Sequence, residues 1–285
     1  MKFTDQDLKK LWKPREDSSG EDNGQITIIG GSELFTGAPL LSLIAASRLV
    51  DMVFVATPTE DKEIVSKIAL FSKLRSVIWI PKEDLDVYIE KSDAILIGPG
   101  LMRYHKSISD DHVLDGAGTD TKMLTKYLLT KFARKKWVID GGSLQVLDPK
   151  WIPKRAIVTP NKHEYEMLTN TSPLSFPSPN LGEGFAEKYE CIVVNKGQVT
   201  YVTDGETTYE IDGGNAGLTK GGTGDTLAGI ITGLFAKNDG LLAAAAGTYI
   251  LKKTAEVLYE KVGYNFNADD VAENVFEVFE KLRNP

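Results

Sequence analysis

The run Gln25-Ile26-Thr27-Ile28-Ile29-Gly30-Gly31-Ser32 decides the fold class. A short run of β-branched residues ending on a glycine pair reads as a buried strand entering a tight turn. It is followed at once by residues 38–50, where Leu40, Leu41, Ile44 and Ala45 fall on one helical stripe. Strand, glycine turn and helix make one βα unit, and the unit repeats outward along the chain. Strand-like runs at 52–57, 76–80, 94–97, 137–139 and 156–159 alternate with helix-like runs at 61–74, 85–90, 119–134 and 162–169. The strands are continuously apolar, as strands covered on both faces are. This predicts an α/β fold of three layers, α/β/α, around a mostly parallel central sheet. After Cys191 the pattern changes. Short strands at 192–195, 200–203 and 207–211 are joined by the turns Lys196-Gly197-Gln198 and Asp204-Gly205. Such a meander predicts an antiparallel edge. Helical runs at 224–237, 241–259 and 268–282 close the chain.

Composition bounds what this framework can do. The chain has 285 residues, 33 Lys+Arg against 40 Asp+Glu, and a net charge of −7. A mildly acidic chain is a poor generic binder of nucleic acid. One cysteine, Cys191, excludes an intramolecular disulfide framework, and His105, His112 and His163 are too scattered for a histidine-built metal centre. No metal-ligating residue is assigned. The first residues lack a signal-peptide core, and the uncharged run at 240–251 is too short to span a bilayer. These features predict a cytoplasmic protein without membrane attachment. A prior of about 150 residues per domain suggests two domains. The loops that follow must converge on one sheet edge, so the expectation is an N-terminal arm over 1–24 and one domain over 25–285.

In parallel sheets, ligands bind at the carboxyl ends of the strands. The polar and glycine-rich punctuation falls there: Gly30-Gly31-Ser32, Gly98-Pro99-Gly100, Asp140-Gly141-Gly142-Ser143, Thr159-Pro160-Asn161 and Asn195-Lys196-Gly197. Each alone is an ordinary turn; five on one edge make a rim. The sharpest feature is Gly221-Gly222-Thr223-Gly224-Asp225, which opens a helix. Glycines let backbone amides approach an anion, and the helix N-terminus favours negative charge. Asp225 either caps the helix or acts as a base beside a bound phosphate. Three glycines around it, with Ala228, Gly229 and Gly233 along the helix, favour the second reading.

The run Gly-Gly-Thr-Gly-Asp-Thr-Leu-Ala-Gly at 221–229 resembles the anion-hole signature of the ribokinase-like superfamily and, within it, of the NAD(P)H-hydrate dehydratases. The segments at 30–39, 97–101, 159–165, 195–197 and 214–218 resemble that family's loops in their order along the chain. The resemblance covers about residues 24–282. It implies a nicotinamide-repair enzyme that returns hydrated NADH or NADPH (NADHX or NADPHX) to the normal cofactor, using ADP or ATP with Mg²⁺. It implies that the nucleotide lies over Lys196, Gly197, Gln198, Val199 and Thr200, with its phosphates at Gly221, Gly222, Thr223 and Gly224. The hydrate would contact Ala38, Gly100, Asn161, Lys162, His163, Glu164 and Asp225. Asp225 would be the catalytic base and Mg²⁺ would travel with the nucleotide. The resemblance also implies a homo-oligomer, with a tetramer as one option.

The chain departs from the family pattern at Gly142, where a second acidic group is lost, and at Met102. The 24 residues before Gln25 are too few for the epimerase domain that some members carry. Glu164 either orients its own loop as a first-turn carboxylate or touches the ligand. Positive potential for a polyphosphate falls to helix N-termini and to Lys196 or Lys220. The alternative function is a small-molecule kinase of the same superfamily, acting on a vitamin precursor or a sugar. A further alternative is a nucleotide-binding module without activity.

Overall fold

Nine strands form one sheet in the order β3-β2-β1-β4-β5-β6-β7-β8-β9. They are β1 (Gln25–Ile29), β2 (Met52–Ala56), β3 (Ile78–Trp79), β4 (Ala94–Ile97), β5 (Lys136–Ile139), β6 (Ile157–Val158), β7 (Ile192–Asn195), β8 (Thr200–Thr203) and β9 (Thr208–Ile211). Every pair from β3 to β7 is parallel, while β7–β8 and β8–β9 are antiparallel. The expected class, with its antiparallel edge, is the one observed. The computed structural model describes residues 1–58, 74–103, 116–171 and 177–284. The helix expected at 61–74 lies outside these residues apart from Leu74, as do His105 and His112.

Ten α-helices are described. They are α1 (Asp5–Leu8), α2 (Gly37–Ala46), α3 (Leu85–Lys91), α4 (Gly116–Lys131), α5 (Gly141–Val146), α6 (Lys162–Thr169), α7 (Pro179–Tyr189), α8 (Thr223–Lys237), α9 (Gly240–Val262) and α10 (Ala268–Arg283). One apolar layer joins α2, α8, α9 and α10 to the strand residues Ile26, Ile28, Val53, Val55, Leu96 and Val138. The opposite layer joins α3 to α7 to Ile29, Phe54, Ile95, Ile97, Trp137 and Ile139. Successive strand residues point to opposite faces. Burial on both faces therefore explains why the strands read as unbroken apolar runs. The one polar interruption in β1, Thr27, shares a 2.7 Å hydrogen bond with Ser92, so its hydroxyl is satisfied inside the second layer.

The sheet order reverses between β1 and β4, and a crevice opens where neighbouring strands send their connections opposite ways. There the Gly31 amide donates to the Pro99 carbonyl at 2.8 Å. A Cβ on Gly30 would sit 2.2 Å from that same oxygen. The two tips can meet only because residue 30 has no side chain.

Some boundaries differ from expectation. The helix expected at 38–50 ends at Ala46, and the strands expected at 76–80 and 156–159 pair over two residues each. Helix α5 was not anticipated. It opens on two glycines, whose intrinsic helix propensity is poor, and Gly142 N–H donates to the Gly98 carbonyl at 3.1 Å. Tertiary contact, not propensity, holds that turn. Among the described residues no helix is long and apolar enough to cross a membrane.

Candidate active site

The glycine-rich loop delivers Asp225 to the first turn of α8. Gly222 is the residue before the helix and has φ of +94°. A Cβ there would also lie 2.4 Å from Leu41 Cδ1 of α2. The left-handed backbone and the close helix both require glycine. Thr223 closes the loop: its hydroxyl lies 2.8 Å from the Leu218 carbonyl and 3.0 Å from that of Lys220. The first-turn amides of α8 have no acceptor within their own helix, and the helix dipole adds positive potential there. Helix α2 steadies this end, because Ser42 Oγ donates to the Asp225 carbonyl at 2.7 Å. The approach is tight enough that a Cβ on Gly229 would sit 2.3 Å from the Ser42 carbonyl oxygen.

Lys196, at the end of β7, reaches under this loop. Its Nζ lies 3.2 Å from Asp140 Oδ1, and a Cβ on Gly224 would come within 3.5 Å of the same nitrogen. Asp140, at the end of β5, is almost wholly buried and also accepts the Thr159 hydroxyl at 2.5 Å. Burial opposes the Lys196 charge, but the carboxyl groups of Asp140, Glu164 and Asp225 outweigh it and raise the ammonium above its usual range. Burial is also the main influence on Asp225. With the Asp140 carboxylate adding to it and Lys196 opposing, the Asp225 carboxyl is pushed up to about 7. One ammonium thus serves three carboxyl groups.

Glu164 is buried and engaged in capping α6. Asn161 N–H donates to Glu164 Oε2 at 2.9 Å, and Glu164 N–H donates to Asn161 Oδ1 at 3.0 Å, a reciprocal capping box. Gln145 donates to Glu164 Oε1 at 3.3 Å and accepts from Arg103 at 3.2 Å. Burial raises the Glu164 carboxyl, with Lys196 opposing. Of the two readings of Glu164, the loop-orienting one has its hydrogen bonds in place. Asn161, Lys162 and His163 are exposed on the same rim. Ala38 and Gly100 meet on its other side, where a Cβ on Gly100 would lie 3.2 Å from Ala38 Cβ.

The turn from Lys196 to Thr200 is closed by Thr200 Oγ1, which donates to the Gly197 carbonyl at 3.2 Å. Gly197 and Gln198 are exposed, and Val199 is half-buried. Lys252 of α9 supports this turn from inside, donating to the Gln198 carbonyl at 2.7 Å and to that of Gly197 at 3.3 Å. Lys220 turns its ammonium to the carbonyls of Tyr264 and Phe266, so of the two lysines considered for positive potential, Lys196 is the one inside the cluster.

The structure therefore brings together Asp225, Lys196, Glu164 and the Gly222–Gly224 backbone, and sets Ala38 beside Gly100. Asp140 and Thr159, which stand in two of the strand-end tips, belong to the arrangement, as do Gln145, Ser42 and Lys252, which the sequence does not mark. Asp140 carried a signal, standing at a strand end before two glycines. The departure at Gly142 has a steric cause: a Cβ there would lie 2.2 Å from the Leu101 carbonyl oxygen, so this backbone admits no acidic side chain. Two clefts among the described residues lie away from these loops. One is bordered by Arg155, Glu190 and Asp239, the other by Trp12, Arg48 and Phe276, and neither includes a residue of the cluster.

Comparison with known proteins identifies the family and the fold. Residues 26–276 match the family model for NAD(P)H-hydrate dehydratase. The bifunctional NAD(P)H-hydrate repair enzyme of Methanocaldococcus jannaschii is 30% identical over 282 residues, covering 96% of this chain and 52% of that protein. The chain spans about half the length of several curated relatives it matches. The ADP-dependent (S)-NAD(P)H-hydrate dehydratase of Cenarchaeum symbiosum is 29% identical over 288 residues, covering 94% and 93% of the two chains. Among solved structures, the ADP/ATP-dependent NAD(P)H-hydrate dehydratase of Bacillus subtilis, co-crystallised with ATP/Mg²⁺, shares the fold at a TM-score of 0.78 and 23% identity, over 99% of this chain and 98% of that one. With the family model matched over most of its length, the chain belongs to the NAD(P)H-hydrate dehydratase family.

Proposed function

We propose that this protein dehydrates hydrated NADH or NADPH at the expense of ADP or ATP, within one domain over residues 25–285. The observation that carries the reading is Asp225: a carboxyl pushed up to about 7, at a glycine-rich helix N-terminus, beside Lys196. A base is most effective when its pKa lies near the working pH. In this reading Asp225 takes the proton of the substrate hydroxyl as that oxygen attacks the terminal phosphoryl group, whose phosphoanhydride bond breaks to release AMP from ADP or ADP from ATP. Phosphate then leaves with the oxygen, the ring nitrogen's electron pair drives the departure, and loss of a neighbouring C–H proton restores the dihydropyridine.

The nucleotide would rest on Lys196, Gly197, Gln198, Val199 and Thr200, with phosphates at Gly221, Gly222, Thr223 and Gly224. Fit is supported at two points. Gly221 is exposed, with nothing within 4 Å of where its Cβ would stand, and the amides of the first helical turn face an anion-accepting end. The hydrate would lie between Ala38, Gly100 and the exposed Asn161, Lys162 and His163, with Glu164 holding the α6 terminus in place.

Among the described residues no group of three or more His, Cys, Asp or Glu could hold a metal ion. In this reading Mg²⁺ would be held by the nucleotide phosphates and water, its usual manner of binding. It would neutralise phosphate charge, while Lys196 and the α8 amides orient the phosphoryl group. Transfer of this kind depends on positioning and electrostatics. Because one ammonium already faces three carboxyl groups, nucleotide binding should depend steeply on Mg²⁺.

The test is incubation with hydrated NADH, Mg²⁺ and either ADP or ATP, following the absorbance of restored NADH. Restoration with release of phosphate is expected. No restoration with either nucleotide overturns the reading, and a stable phosphorylated product would make the protein a kinase instead.

A further inference from the structure

We propose that Lys252 is a positioning residue for the nucleotide, holding the carbonyls of Gly197 and Gln198 so that the β7–β8 turn presents its amides outward. The proposal rests on the reading of that turn as the nucleotide site.

Lys252 lies in the middle of α9 and is 4% exposed. It donates to three carbonyls: Gln198 at 2.7 Å, Ile211 at 2.9 Å and Gly197 at 3.3 Å. An ammonium has three protons, and all three have an acceptor. No ion pair to it is found among the described residues. Glu256 is engaged by Lys253 and by the Gly214 amide, and Asp212 by Lys2. Burial lowers the Lys252 ammonium to about 8 despite the attraction of Asp212 and Glu256.

Burying a cation against neutral carbonyls is costly, and a methionine would fill a similar space without desolvating a charge. What the ammonium supplies is direction. The peptide unit is planar and trans, so a carbonyl and the next residue's N–H point opposite ways. Drawing the Gly197 and Gln198 carbonyls inward aims the amides of Gln198 and Val199 away from α9. Those residues sit in the turn proposed to carry the nucleotide. The third carbonyl, Ile211 of β9, ties the turn to the sheet edge. The lysine stem also flanks the segment leading to the glycine-rich loop, since a Cβ on Gly214 would lie 3.2 Å from Lys252 Cγ.

The experiment measures ADP and ATP affinity by calorimetry, with Mg²⁺, for the wild type, Lys252→Met and Leu251→Ala. Leu251 is a buried neighbour in the same helix with no side-chain bond to the turn, so its truncation reports general loosening. Lys252→Met should weaken nucleotide binding at least tenfold and leave the KM for the hydrate within twofold, while Leu251→Ala leaves nucleotide affinity within twofold. Lys252→Gln, which keeps two donors, should be intermediate and carries the comparison if the methionine variant does not fold. Wild-type affinity in both Lys252 variants, or equal weakening in Leu251→Ala, overturns the role of Lys252 alone. A wild type that binds neither nucleotide overturns the reading of the turn together with it.

Discussion

At the scale of single residues, the site is a charge arrangement held by burial. Burial pushes the Asp225 carboxyl up to about 7 in the folded chain, well above the ordinary aspartate range of about 4. Between these values the folded state binds more protons than the unfolded one, so stability falls as pH rises through that window. Asparagine cannot ionise. Asp225→Asn should therefore gain about 1–2 kcal/mol over the parent between pH 5 and pH 8, a figure discounted for partial solvation. Denaturant unfolding at the two pH values checks this, and an unchanged difference would sink it. The same variant should lose on the order of 10³ in turnover, while the parent loses activity as pH falls below about 7. Lys196→Met makes a contrasting case. It strands the buried Asp140 carboxylate and should cost about 3 kcal/mol, of which Asp140→Asn in the same chain recovers part. Additive losses in the double variant would contradict direct pairing.

Among elements, the contact of α2 with α8 decides the geometry around Asp225. Gly229 faces the Ser42 carbonyl, and Ser42 bonds the Asp225 carbonyl one turn earlier. Gly229→Ala must push the two helices apart, with a cost of about 2 kcal/mol or more and a matching fall in activity. Gly184, in α7, has open space where a side chain would go. Gly184→Ala should be neutral or stabilise by up to about 1 kcal/mol through helix propensity. Melting temperatures of the two variants separate glycines required by packing from those that are not. Equal effects would show that the α2–α8 approach is not tight. The helical stripes and glycine tips were legible in the sequence because they are local patterns. The Asp140–Lys196 pair was not, because it depends on β5 and β7 flanking β6. Lys252 left only a faint trace, as the charge that ends the uncharged run at 240–251.

For the whole molecule, the β9 edge of the sheet is a liability, and the chain's first residues cover it. Lys2 bridges Glu210 of β9 in parallel, with Glu210 N–H donating to the Met1 carbonyl at 2.8 Å and Phe3 N–H donating to the Glu210 carbonyl at 3.2 Å. Phe3, Leu8 and Leu11 are buried behind it. Removing residues 1–11 should cost on the order of 5 kcal/mol from these three side chains. It also bares a strand edge that can pair with another copy. Thermal melts and light scattering test this, and an unchanged melting point without aggregation would contradict the covering role. Nothing in the first residues marks them as a strand, because their partner lies about two hundred positions away.

The order of βα units, the antiparallel turn to the sheet edge and the glycine loop ahead of Asp225 were determined by sequence alone. Each rests on periodicity or on glycine's backbone freedom, which act over a few residues. The tertiary structure decided how the carboxyl groups of Asp140, Glu164 and Asp225 share one lysine, why residue 142 carries no acid, and which lysine reaches the cluster. Those outcomes depend on which strand ends lie side by side and on how far each group is withdrawn from water. Both are properties of the packed sheet, and no local stretch of the chain contains them.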